Sequence, residues 1–72
     1  MAGFQKSQIL NDLSAREIEV LEALCQGMNN KDIAASMFVS PETVKTHVST
    51  IISKLGVKDR TQAVIKSIRA GM

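Results

Sequence analysis

His47 and Cys25 are the only histidine and the only cysteine of the chain, and the two together are too few to build a metal site. No pair of carboxylates and no glycine-rich phosphate loop accompanies them, so catalysis finds almost no foothold. Cys25 stands among Leu21, Leu24 and Met28. That setting suits a small core residue better than a nucleophile. The side chains that can do chemistry are of another kind. Lys45, Thr46, Ser49, Thr50 and Ser53 fall within one stretch that contains no acid after Glu42. Hydroxyls and a lysine at helical spacing form hydrogen bonds to base edges and phosphates.

A surface of that composition is unusual for a helix, because exposed helical positions ordinarily favour Glu, Lys, Gln and Ala over the poorer helix formers Thr and Ser. Charge points the same way. Up to Met28 the balance is −2, and from Asn29 onward it is +4, for a total of +2. The basic half is the one expected to meet a polyanion. Solvated lysines and arginines occur on most helices, so charge alone leaves the question open.

The elements that must position these side chains are helices. Ser14 followed by Glu17 forms a capping box, and Leu13 can pack on Ile18 as a hydrophobic staple. The first helix then starts at Ala15, carries Ile18, Leu21, Leu24, Cys25 and Met28 on its inner face, and stops at Gly27. Asn30 is the expected cap of a shorter helix from Lys31 to about Met37, with Ile33, Ala34 and Met37 inward. Ser40-Pro41 is the clearest helix start in the chain, since proline is well tolerated in a first turn. A third helix over residues 41–55 buries Val44, Val48, Ile51, Ile52 and Leu55 and ends at Gly56. A fourth begins after Asp59, with Gln62 as the second half of another capping box, and runs to about Ala70, pinned by Val57, Val64 and Ile68.

With 72 residues, 44% of them apolar and only two aromatic, the chain supports one small all-α domain with an aliphatic core. Residues 1–11 show no periodicity and read as a linker or flexible N-terminus, and 12–72 as the domain. No apolar run nears the roughly 20 residues of a membrane span, and the N-terminus has no apolar stretch of the secretory kind, so no membrane is expected and a cytoplasmic location is. Two short helices joined by a brief turn, the second with a small polar outer face, make a helix-turn-helix at about residues 30–49.

The ordered residues Leu13-Ser14-Ala15-Arg16-Glu17-Ile18-Glu19-Val20-Leu21, Gly27, Asn30-Lys31-Asp32-Ile33-Ala34 and Val39-Ser40-Pro41-Glu42-Thr43-Val44-Lys45-Thr46-His47-Val48 resemble the LuxR-type (NarL/FixJ) DNA-binding domain of bacterial transcription regulators. Ile52-Ser53-Lys54-Leu55-Gly56-Val57-Lys58-Asp59-Arg60-Thr61-Gln62-Ala63-Val64 extends the resemblance over about residues 12–70. It implies a tri-helical core plus a C-terminal dimerisation helix, and double-stranded DNA as partner, with helix 41–55 in the major groove. It also implies base contacts from Lys45, Thr46 and Ser49, with Thr50 or a water sharing the work of the short Ser49 hydroxyl. Lys31, Thr43, His47, Lys54 and Arg60 are implied near the DNA backbone, and Lys58 joins them as a neighbouring cation.

The same resemblance implies a two-fold dimer through helix four. Ile65, flanked by Gln62, Lys66 and Arg69, is the expected contact, and like charges across the axis would keep the free dimer weak and leave DNA to promote it. RNA polymerase is a further candidate partner, and no cofactor or metal is expected. The chain reads as the output domain of a response regulator or as a stand-alone regulator, and not as an enzyme. The rival reading is a helical protein-interaction module, which would need exposed aliphatics on helix three.

Overall fold

The computed structural model describes residues 12–71. The expected linker over residues 1–11 lies outside them. Four helices follow one another: α1 (Ala15–Cys25), α2 (Asn30–Met37), α3 (Pro41–Leu55) and α4 (Arg60–Arg69). No strand occurs among the described residues. Each helix starts where a side-chain oxygen can satisfy a backbone N–H left without a helical partner. Ser14 Oγ accepts from Glu17 N at 3.1 Å while Glu17 Oε1 accepts from Ser14 N at 2.9 Å, which completes the capping box. Ser40 Oγ accepts from Thr43 N at 3.2 Å, and Asp59 Oδ1 from Gln62 N at 2.9 Å.

Two boundaries differ in detail from expectation. Asn29, not Asn30, caps α2, its Oδ1 accepting from Asp32 N at 2.9 Å, and Asn30 becomes the first helical residue. Two consecutive asparagines both suit a cap, and the structure uses the earlier one. At α4 the Gln62 side chain reaches back beyond the cap and accepts from Lys58 N at 3.1 Å, so the reciprocal half of the box spans one residue more.

The core is the aliphatic set Leu13, Val20, Leu21, Leu24, Ile33, Ala34, Val44, Val48, Ile51, Leu55 and Ala63. α3 runs through its middle, packing on α1, α2 and α4, whereas α2 packs mainly on α3. On α1 the buried stripe is Val20, Leu21 and Leu24, with Ile18 packed against its edge and Cys25 only partly buried; Met28, expected on the inner face of this helix, lies beyond its end in the α1–α2 loop and packs on the core from there. Burial and the Glu22 carboxylate together raise the pKa of the Cys25 thiol. That is the opposite of what a nucleophilic cysteine needs.

One expectation is overturned at α4. Ile68 is 54% exposed, and the fully buried positions are Ala63 and Ser67. The cause is the register of the helix: Ala63 and Ser67 lie four apart on the inner face, and one further residue turns Ile68 about 100° outward. Small residues on that face let α4 approach α1 and α3 closely. The buried Ser67 hydroxyl is satisfied by donating to Ala63 O at 2.7 Å. Val64 stays partly buried against the core, as expected.

Candidate nucleic-acid interface

The apolar stripe of α3, Val44, Val48, Ile51 and Leu55, is buried. Turning that stripe inward fixes the opposite face outward. Lys45, Thr46, Ser49 and Ser53 are exposed there, and Thr43, His47 and Thr50 are half-buried at its margins. The four side chains expected at base edges therefore share one face over little more than a turn, because positions one, four and five apart cluster on a helix. Lys45 and Ser49 have no side-chain partner among the described residues. Thr46 Oγ1 donates to Glu42 O at 3.2 Å, and Thr50 Oγ1 to Thr46 O at 3.1 Å. Both threonine hydroxyls thus use their single hydrogen inside the helix.

The residues expected near the DNA backbone divide into two groups. Lys31 on α2 and Lys58 in the α3–α4 loop are exposed, with side chains unpartnered among the described residues. Thr43 Oγ1 lies 3.0 Å from Ser40 Oγ, so the first turn of α3 presents two linked hydroxyls. Lys54 and Arg60 are differently placed. Lys54 Nζ donates to Glu17 Oε1 at 2.9 Å and to Asp12 O at 3.0 Å. Arg60 Nη1 donates to Asn30 Oδ1 at 2.7 Å, and Nη2 to Met28 O at 3.0 Å. Their cationic heads are engaged within the domain.

Among the residues expected to form a dimer contact, Gln62, Ile65 and Arg69 are exposed and Lys66 is partly buried, and the four line a shallow surface depression on α4. Lys66 Nζ donates to Leu55 O at 2.9 Å. It thereby satisfies a carbonyl at the end of α3, where a cation also opposes the negative end of the helix dipole.

Reading the sequence missed three features. Glu17 is buried at 7% exposure, and its long-range partner Lys54 left no local signal. Asn30 serves as a side-chain acceptor for Arg60, which a cap assignment conceals. Phe38 is 95% exposed and takes a left-handed conformation, φ 59°, at the end of α2. Its place in the turn was visible in the sequence, but a phenylalanine gives no hint of positive φ.

Residues 11–67 match the model of "Bacterial regulatory proteins, luxR family". The chain is 56% identical over 68 residues to the transcriptional regulatory protein LnrK of Bacillus subtilis (strain 168), covering 94% of this chain and 31% of that protein. The solved structure of the transcription factor GerE superposes with a TM-score of 0.76 at 39% identity, covering 82% of this chain and 88% of the other. The response regulator ChrA of a heme-sensing two-component system superposes with a TM-score of 0.75 at 53% identity, covering 79% of this chain and 28% of that one. The chain thus spans about a third of the length of the curated relatives it matches. By its matched residues and its four helices, this chain belongs to the LuxR family of bacterial regulatory proteins, as a helix-turn-helix DNA-binding domain.

Proposed function

We propose that this domain recognises a specific double-stranded DNA site by laying α3 in the major groove, with Lys45, Thr46, Ser49 and Thr50 toward base edges and Lys31, Thr43, His47 and Lys58 toward phosphates. The observation that carries this reading is the outer face of α3. It bears a lysine unpaired among the described residues, hydroxyls and no acid after Glu42, so neither charge repulsion nor bulky aliphatics bar it from a groove about 12 Å wide. The rival interaction module needed exposed aliphatics on that face, and the large aliphatics of α3 are buried or partly buried.

A single four-turn reading helix touches only a few base pairs, too few for genomic specificity, so two copies are required on one site. Helix α4 is the proposed contact. Ile65 and Ile68, three apart and 44% and 54% exposed, form a short apolar strip beside Gln62, Lys66 and Arg69. Pairing of these strips about a two-fold axis would set the two α3 helices in successive major grooves. In the cell the domain acts as the output part of a response regulator or as a stand-alone regulator in the cytoplasm, and RNA polymerase is the partner through which an activator would work.

Fluorescence-anisotropy titration with random duplex DNA at low and moderate salt tests the reading. Binding that weakens steeply with salt is expected, because phosphate contacts release counterions. No binding at low salt overturns it.

A further inference from the structure

Arg60 is the first residue of α4, and no acid lies in that first turn. The carboxylate of the N-cap residue Asp59 offsets the positive end of the α4 dipole, so the guanidinium is left to bind elsewhere. The guanidinium reaches Met28 O in the α1–α2 loop and Asn30 Oδ1 at the start of α2, on either side of the cap residue Asn29. α2 packs mainly on α3, whereas α4 packs on α1 and α3. The fork of Arg60 therefore ties the entry of α2 to the start of α4.

Resting on the DNA-binding reading above, we infer that Arg60 is a positioning residue for DNA binding: it brackets the N-cap of α2 and fixes the direction in which Lys31 and the helix-turn-helix meet the duplex, instead of contacting phosphate itself. A planar fork can hold two acceptors in fixed relation, and an ammonium cannot reproduce that geometry. Lys58, two residues earlier and unpartnered among the described residues, is left as the phosphate contact of this corner.

The test compares Arg60→Lys, Arg60→Gln, Asn30→Ala, the Arg60→Gln/Asn30→Ala double variant and Lys58→Gln, each assayed at a temperature where circular dichroism shows it fully folded. Dissociation constants for one selected duplex are measured across a salt series. Arg60→Lys and Arg60→Gln should weaken binding alike, on the order of tenfold, as expected for loss of a charge-assisted hydrogen bond. Their salt slope should equal that of the wild type. Asn30→Ala should weaken binding in the same sense, and the double variant should bind no worse than Arg60→Gln alone. Lys58→Gln should instead reduce the salt slope by about one. Wild-type affinity in Arg60→Lys, or a slope reduced by about one in Arg60→Gln, makes Arg60 a phosphate contact and overturns the inference.

Hydrogen exchange in the free protein separates this failure from failure of the DNA reading. The Asp32 and Ile33 amides, which donate to Asn29, should exchange faster in both Arg60 variants while amides of the α3 core keep their protection. Unchanged Asp32 and Ile33 exchange would overturn the clamp even if the wild type bound DNA.

Discussion

Lys54 Nζ stands 2.9 Å from Glu17 Oε1, and the same carboxylate oxygen accepts the backbone N–H of Ser14. The last turn of α3 is thereby fastened to the first turn of α1, with Asp12 O as a second acceptor for the same ammonium. Glu17 is nearly enclosed, whereas the Lys54 side chain is 37% exposed. Exposure of one partner keeps the net worth of such a pair modest. Lys54→Met should therefore destabilise the domain by about 1 kcal/mol. Urea unfolding measures this, and a salt slope for DNA binding equal to that of the wild type would accompany it if the ion pair persists in the complex.

The same contact predicts a pH dependence. The Ser14 backbone N–H, foremost, and the Lys54 ammonium hold the Glu17 pKa below the usual glutamate range. A carboxyl whose pKa is lower in the folded than in the unfolded state stabilises the fold fully above its unfolded pKa, and that contribution is lost as pH falls through the folded value. The loss should begin below the usual glutamate pKa and be complete beneath the depressed one. Glu17→Gln should remove this slope from a series of urea midpoints. A variant profile parallel to the wild type through that window would assign the acid sensitivity to other groups.

Helix caps were legible because they are local: Ser14, Ser40 and Asp59 each accept from a backbone N–H three residues on. The outward polar face of α3 was legible for a related reason, since burying Val44, Val48 and Ile51 dictates what remains outside. What escaped depends on contacts between distant segments. No periodicity reveals that Arg60 closes on Asn30 or Lys54 on Glu17. The register of α4 escaped for another reason. Its inner face is built from Ala63 and Ser67, small residues that a search for large aliphatics passes over in favour of Ile68.

Lys45 is exposed on α3 and unpartnered among the described residues, so its ammonium is free to seek a base-edge acceptor. Lys45→Ala should weaken binding to a specific site by about 1 to 3 kcal/mol, with a smaller effect on random duplex. Equal losses on both would make Lys45 a phosphate contact.

Thr46 donates its hydroxyl hydrogen to Glu42 O, leaving an oxygen lone pair and a methyl group for the groove. A side chain so committed reads thymine methyl groups or amino donors of adenine and cytosine, not acceptors. If the methyl carries the contact, Thr46→Val should retain affinity within about threefold while Thr46→Ser loses more, since each good base contact is worth roughly 1–3 kcal/mol. The opposite order in a competition titration would assign recognition to the hydroxyl.

Phe38 combines a left-handed backbone with a ring that buries almost nothing. For a residue with a Cβ that conformation costs roughly 1–2 kcal/mol, which glycine avoids. Phe38→Gly should therefore raise the melting temperature by several degrees, taking about 4–8 °C per kcal/mol for a domain of this size less the chain entropy glycine adds when unfolded. A lower melting temperature would mean that the ring contributes a contact worth more than the backbone strain.

Ile65 and Ile68 form one exposed strip, but the cations beside it are not equivalent: Lys66 is held by Leu55 O, while Arg69 is exposed and unpartnered among the described residues. Across a two-fold axis the two Arg69 side chains carry most of the mobile positive charge. Two half-exposed isoleucines per copy bury too little area to overcome that repulsion and the entropy of association. The free domain should then be monomeric at micromolar concentration. A palindromic duplex should supply the second copy by fixing both domains on adjacent half-sites, which raises their effective concentration. Ile65→Glu should abolish cooperative binding of two domains per duplex while a single half-site still binds with near wild-type affinity, and Arg69→Ala should strengthen self-association. Sedimentation velocity with and without the duplex reads both effects. Two Ile65→Glu domains per palindrome with undiminished cooperativity would remove α4 from the dimer contact.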